Sequence, residues 1–229
     1  MIHGICSTPR HFDFLLPSIP EDVSLCNILL AGHGGTVEDF SRTSMKEWKA
    51  QVCRFLDMLS ETHERIIVVG YSLGTLLALN FWQDYPKVKG LLLLNPPLAP
   101  FLKPLMLTRT VRISYGKPDL KDSSERAMYQ DLSIRLTPYS IHYLSWIPKF
   151  VALLRLCYHC RKNARRLTIN CSVLLGNQDE LVATRSGKFF PKEDFIRCET
   201  FQNSTHCYYE PKFIEATIDS IRWLLGQTN

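Results

Sequence analysis

Short apolar runs alternate along the chain with longer stretches in which apolar positions recur every three to four residues. Asn27–Ala31 (NILLA), Arg65–Gly70 (RIIVVG), Gly90–Asn95 (GLLLLN), Ser172–Leu175 (SVLL) and Ile196–Phe201 read as strands. Ser44–Leu59 reads as a helix with Met45, Trp48, Val52, Phe55, Leu56 and Leu59 on one face, and Ser44 and Glu47 have capping-box spacing at its start. Leu73–Tyr85 is a mostly apolar helical stretch that stops before Pro86. Pro211–Leu225 carries Ile214, Ile218, Ile221 and Leu225 on one stripe, with proline in its first turn. Strands of near-continuous apolar content that alternate with helices predict an α/β fold, a mostly parallel sheet with helices on both faces. Active sites of such sheets lie beyond the carboxyl ends of the strands. That rule directs attention to the segments after Val69, Asn95, Leu175 and Phe201.

The regular alternation breaks between Pro96 and Arg166, where prolines, aromatics and scattered charge replace it. Within this stretch, Tyr143–Leu156 holds Leu144, Ile147, Val151 and Leu154 at helical spacing. The expected organisation is a core made of residues 1–95 and 167–229, with 96–166 as an insertion between two core strands. Phe101, Leu105, Tyr129 and Trp146 are among the side chains that give this insertion its many apolar surfaces.

Composition narrows the class. Of the 229 residues, 45% are hydrophobic and 21% charged, which is ordinary globular usage and excludes a disordered chain. The net charge of +5 is too mild to argue for a nucleic-acid partner. No apolar run reaches the roughly 18 residues that cross a bilayer, so no stable membrane insertion is expected. MIHGICSTPR lacks the pattern of an export leader. The eight cysteines are therefore expected to be reduced thiols in a cytoplasmic protein. Cys157-Tyr158-His159-Cys160 resembles half of a metal site, but a structural zinc normally takes four ligands from paired motifs, and no metal is expected. Arg155, Arg161, Lys162, Arg165 and Arg166 could meet an anionic head group, or form a solvated face.

Gly70-Tyr71-Ser72-Leu73-Gly74 follows a strand directly and opens a helix, which is the context that gives G-x-S-x-G its meaning. Two glycines allow the tight turn, and Ser72 projects its hydroxyl above the sheet. A serine becomes a useful nucleophile only with a base, and the base needs an orienting acid. In chain order these are Asp179, after the Ser172–Leu175 strand, and His206, after the last strand; Glu180 is the fallback acid. An oxyanion needs two backbone N–H groups. Leu73 follows the nucleophile and supplies one, and Ile5, in the early His3-Gly4 loop, is the candidate for the other.

With these residues the sequence resembles the α/β-hydrolase superfamily, and within it the bacterial carboxylesterase and monoacylglycerol-lipase-like serine hydrolases. The resemblance runs through His3-Gly4-Ile5 with Ser7-Thr8-Pro9, Gly32-His33-Gly34 with Glu38-Asp39, Trp48, the turn at Ser72, Asp179 with Leu181-Val182, and Ser204 with His206. It implies a Ser72–His206–Asp179 triad, an oxyanion hole from Ile5 and Leu73, a lid, no cofactor, and a small-molecule acyl ester of short to medium chain as substrate. The departure is at the front. Only Met1-Ile2 precede His3, where the family has a full strand, so the first strand is expected to be truncated and the true start to lie upstream. A thioesterase, an acyltransferase with the same triad, or a non-catalytic binding protein on this fold are the competing expectations. The sequence says nothing about oligomeric state.

Overall fold

The computed structural model describes residues 1–226. Four parallel strands form the sheet in the order β1 (Ile66–Tyr71), β2 (Val88–Leu94), β3 (Asn170–Gly176) and β4 (Ile196–Phe201). Helices α1 (Val37–Ser41) and α2 (Met45–Thr62) precede β1, and α3 (Leu73–Phe81) follows it. Between β2 and β3 lie α4 (Pro104–Ser114), α5 (Ser123–Asp131) and α6 (Trp146–Arg165), and α7 (Pro211–Leu225) closes the chain order.

Alternation along the strands divides the core in two. Val68, Leu91, Leu93, Val173 and Leu175 face a large cluster that includes Trp48, Val52 and Leu56 of α2 and Leu73, Leu76 and Leu77 of α3. Val69, Tyr71, Leu92, Leu94 and Leu174 face the other side, where Phe213, Ile221 and Leu224 of α7 join Phe12 and Leu15. Burial on both faces explains why β2 and β3 read as unbroken apolar runs.

The expected strand at Asn27–Ala31 is reduced to a single bridge at Ile28. Ile2 sits between Ile28 and Gly70 and bridges both in parallel, with the Ile2 N–H donating to Val69 O at 2.8 Å and the Tyr71 N–H to Ile2 O at 3.0 Å. A strand needs a neighbour to ladder with, and this neighbour offers one residue before the chain turns away at His3. Side chains satisfy the remaining backbone. Leu30 N–H donates to His3 Nε2, Ala31 N–H to Gln51 Oε1, and the Trp48 indole to Ala31 O.

Residues 96–166 meet the rest of the chain in several places. α6 buries Leu156, Cys157, Cys160 and Ala164 in the same cluster as α2 and α3, with the Cys160 thiol against Leu76 O at 3.3 Å. Residues 99–103, just before α4, instead pair with the loop after β3, through a Pro100–Val182 bridge and the Lys103 N–H on Glu180 O. Ser133, beyond α5, donates from its N–H to Cys6 O at 2.8 Å. All eight cysteines are free thiols. Among the described residues, no helix is long and apolar enough to cross a membrane.

Candidate active site

The turn between β1 and α3 is sterically dictated. Ser72 sits at φ 49°, ψ −113°, a left-handed conformation that side chains rarely adopt and that persists only where its surroundings enforce it. A Cβ at Gly70 would lie 2.7 Å from the backbone carbon of Gly74, and one at Gly74 would lie 1.9 Å from Ile2 O. Both positions therefore exclude any side chain. The Ser72 carbonyl is held by the Thr75 N–H at 3.0 Å and the Thr75 hydroxyl at 2.6 Å.

Three of the residues singled out in the sequence converge here. The Ser72 hydroxyl lies 3.1 Å from His206 Nε2, and His206 Nδ1 lies 2.8 Å from Asp179 Oδ2. The second oxygen of Asp179 accepts the Leu181 and Val182 N–H groups at 2.7 and 2.8 Å, which fixes the carboxylate beyond β3. With the Nδ1–H of His206 donated as a hydrogen bond to Asp179, Nε2 carries the lone pair toward the serine. Burial disfavours the protonated imidazole of His206. The Asp179 carboxylate opposes this by charge and hydrogen bond, with Glu180 adding to it, and the net result is a pKa above the usual 6.5.

Glu180, the fallback acid, makes its hydrogen bonds elsewhere than to the imidazole. One of its oxygens accepts the backbone N–H of His206 at 3.1 Å, and the other takes the guanidinium of Arg109 from α4. Arg109 also bonds Asp122, the N-cap of α5, at 2.7 Å. The neighbouring carboxylates thus divide the work: Asp179 holds the imidazole and Glu180 holds the backbone beneath it.

Gly4 backs onto the turn, where a Cβ would stand 3.1 Å from that of Ser72. The loop it opens is held by two buried histidines. His3 donates from Nδ1 to Gly4 O and accepts the Leu30 N–H on Nε2, and His33 Nε2 accepts the Cys6 N–H at 3.1 Å. Burial pushes their pKa values down to about 4 for His3 and about 3 for His33, which keeps both neutral acceptors. Cys6 takes φ 60° in this loop, between Ile5 and Ser7. Among the described residues, the N–H groups of Ile5 and Leu73 have no hydrogen-bond partner.

Several contributors were not singled out in the sequence. Asn95, buried at the end of β2, donates from Nδ2 to Thr205 O and His206 O and accepts the Gly176 N–H on Oδ1. The Tyr71 hydroxyl donates to His206 O at 3.1 Å. Asn95 had a visible signal, as the one polar residue closing a run of four leucines at a strand end. Arg109 had none. A cavity of about 550 Å³ is lined by His11, Asp131, Cys207 and Tyr209 among others, and neither Ser72 nor His206 is in its lining.

A parallel sheet with a strained serine turn at one strand end, and a histidine and an acid following later strands, defines a class. The chain belongs to the Alpha/beta hydrolase family, whose model matches residues 1–216. Over 96 residues it is 29% identical to the thermostable monoacylglycerol lipase of Bacillus sp. (strain H-257), a match that spans 42% of this chain and only 38% of that protein. Among solved structures, the monoacylglycerol lipase of Paleococcus ferrophilus superposes with a TM-score of 0.68 at 18% identity, covering 99% of this chain and 93% of the other. A metagenome-derived lipolytic enzyme superposes with a TM-score of 0.71 at 15% identity, covering 98% and 91%. At such identities the likeness is one of fold.

Proposed function

We propose that this protein is a serine hydrolase that cleaves carboxylic esters of small molecules through an acyl-enzyme on Ser72. The observation that carries the reading is the unbroken line of hydrogen bonds from Asp179 through His206 to a hydroxyl on a strained strand-to-helix turn. Ser72 attacks the ester carbonyl while His206 Nε2 takes its proton. The tetrahedral oxyanion is met by the N–H groups of Leu73 and Ile5, with the N-terminus of α3 behind them. His206 then protonates the leaving alcohol, and next activates the water that releases the acid. Asp179 stabilises the imidazolium that forms in each half of the cycle. No step calls on a metal or an organic cofactor.

The residues around α4 and α5 serve as the lid in this reading. Ser72 and His206 are buried, and the segment joins the site through Arg109–Glu180, Ser133–Cys6 and the Ser7 hydroxyl on Asp131 at 2.9 Å. Substrate entry then requires these contacts to part. The apolar side chains of the segment favour an acyl chain of short to medium length. The test is a panel of p-nitrophenyl esters and acyl thioesters of graded length. Hydrolysis of the esters by the wild type, and a fall in kcat of about 10⁴-fold or more in Ser72→Ala, is expected. Equal turnover by Ser72→Ala would overturn the reading, and thioesters turned over in strong preference to esters would redirect it.

A further inference from the structure

α6 is apolar on two opposite faces. One is the buried face of Leu156, Cys157, Cys160 and Ala164. The other carries Ile147, Val151, Leu154 and Tyr158 at helical spacing, and these are 58, 41, 46 and 58% exposed. Ile141 and Leu144 extend this outward stripe through the turn before the helix, at 76 and 63% exposed. Single exposed apolar residues are ordinary, but a continuous stripe over three turns has an energetic cost in water that a partner would remove.

Charge indicates what covers it. Residues 96–166 hold 13 Lys or Arg against four Asp or Glu, a net +9, whereas the whole chain carries +5, so the remainder is at −4. From Trp146 to Arg166 there is no acidic residue at all. Arg155 borders the stripe beside Leu154, and Lys162 stands one turn beyond Tyr158. Both are exposed, and neither has an ion-pair partner among the described residues. Arg161 lies over the Tyr158 ring at 4.1 Å, so the tyrosine is already flanked by positive charge. Docking a second copy through the same face would bring two such basic segments together. An exposed apolar helix face bordered by cations instead suits the boundary between the head groups and acyl chains of an anionic bilayer.

We propose that the outward face of α6 is a docking surface for an anionic lipid bilayer, with Ile147, Val151, Leu154 and Tyr158 entering the interface and Arg155 and Lys162 meeting lipid phosphates. This is surface association without a spanning segment, and it stands independently of the ester-hydrolase reading. The test is co-sedimentation of the full chain with vesicles of phosphatidylcholine alone or with about one third phosphatidylserine. At least tenfold tighter partitioning onto the mixed vesicles is expected, weakening as salt is raised. Ile147→Ser combined with Leu154→Ser should lower that binding about tenfold while leaving the thermal unfolding temperature unchanged, since both side chains are already exposed. Arg155→Glu with Lys162→Glu should erase the preference for the anionic lipid, a readout that holds even if the serine variant folds poorly. Binding that is indifferent to both pairs would overturn the proposal. So would a dimer in sedimentation equilibrium that the serine pair dissociates, because the face would then belong to a second copy.

Discussion

At the scale of single residues, the two adjacent carboxylates make the sharpest prediction. Asp179 and Glu180 lie side by side in sequence, yet one meets the imidazole and the other meets the main chain of the same histidine. Glu180→Gln keeps an oxygen that accepts the His206 N–H but removes a negative charge that helps to hold the imidazolium. The acid limb of kcat/KM, which reports His206 losing its proton, is expected above pH 6.5 in the wild type and at lower pH in Glu180→Gln, with kcat little changed. Glu180→Ala also loses the acceptor and should lower kcat about tenfold or more. A merely structural role would move stability without moving the limb, so pH–rate profiles of the two variants separate the possibilities. The positions of Ser72, Asp179 and His206 were legible in the sequence because each follows a recognisable strand. The role of Glu180 was not, because a backbone contact and a partner 71 positions away in α4 leave no local pattern.

Among the elements, the turn from β1 into α3 is where sequence and packing agree most closely. The same crowding that forbids a side chain at Gly74 makes its substitution severe. Gly74→Ala would drive a methyl into the Ile2 carbonyl, and because backbone has little room to give, a loss of about 3 kcal/mol is expected. For a chain of this size that corresponds to a fall of roughly 10 °C in Tm, measurable by calorimetry. Gly116→Ala, where nothing lies within 4 Å but φ is 68°, should cost much less and serves as the contrast. Strands β1 to β4, and the helices that carry a one-sided stripe, followed from periodicity. The strand expected at Asn27–Ala31 did not, since its ladder depends on a neighbour of one residue, Ile2. The spacing of Leu144, Ile147, Val151 and Leu154 located a helix but not its orientation, because α6 turns that stripe outward and buries the face of Cys157 and Cys160 instead. Periodicity reports which residues share a face; which of two apolar faces meets the core is settled by the neighbouring helices.

For the molecule as a whole, the buried histidines tie stability to pH. His3 and His33 titrate near 4 and 3 when folded and near 6.5 when unfolded, so the unfolded chain binds more protons between those values. Their contribution is fully present above about pH 6.5 and is lost as pH falls toward 4 and 3. His206 acts in the opposite sense, favouring the fold below pH 6.5 and losing that contribution as pH rises through its raised value. Two groups outweigh one, so chemical denaturation should show stability falling by a few kcal/mol from pH 7 to pH 4. Phenylalanine at position 33 would lose the Cys6 contact, yet should flatten part of that slope. The central claim, that distant parts of the chain converge to make one hydroxyl reactive, is tested most directly by intact mass after treatment with a fluorophosphonate. One adduct, mapped to Ser72 and abolished both in Ser72→Ala and in His206→Ala, is the expected result. An unlabelled folded protein, or labelling at Ser72 that proceeds just as fast without the imidazole of His206, would contradict it.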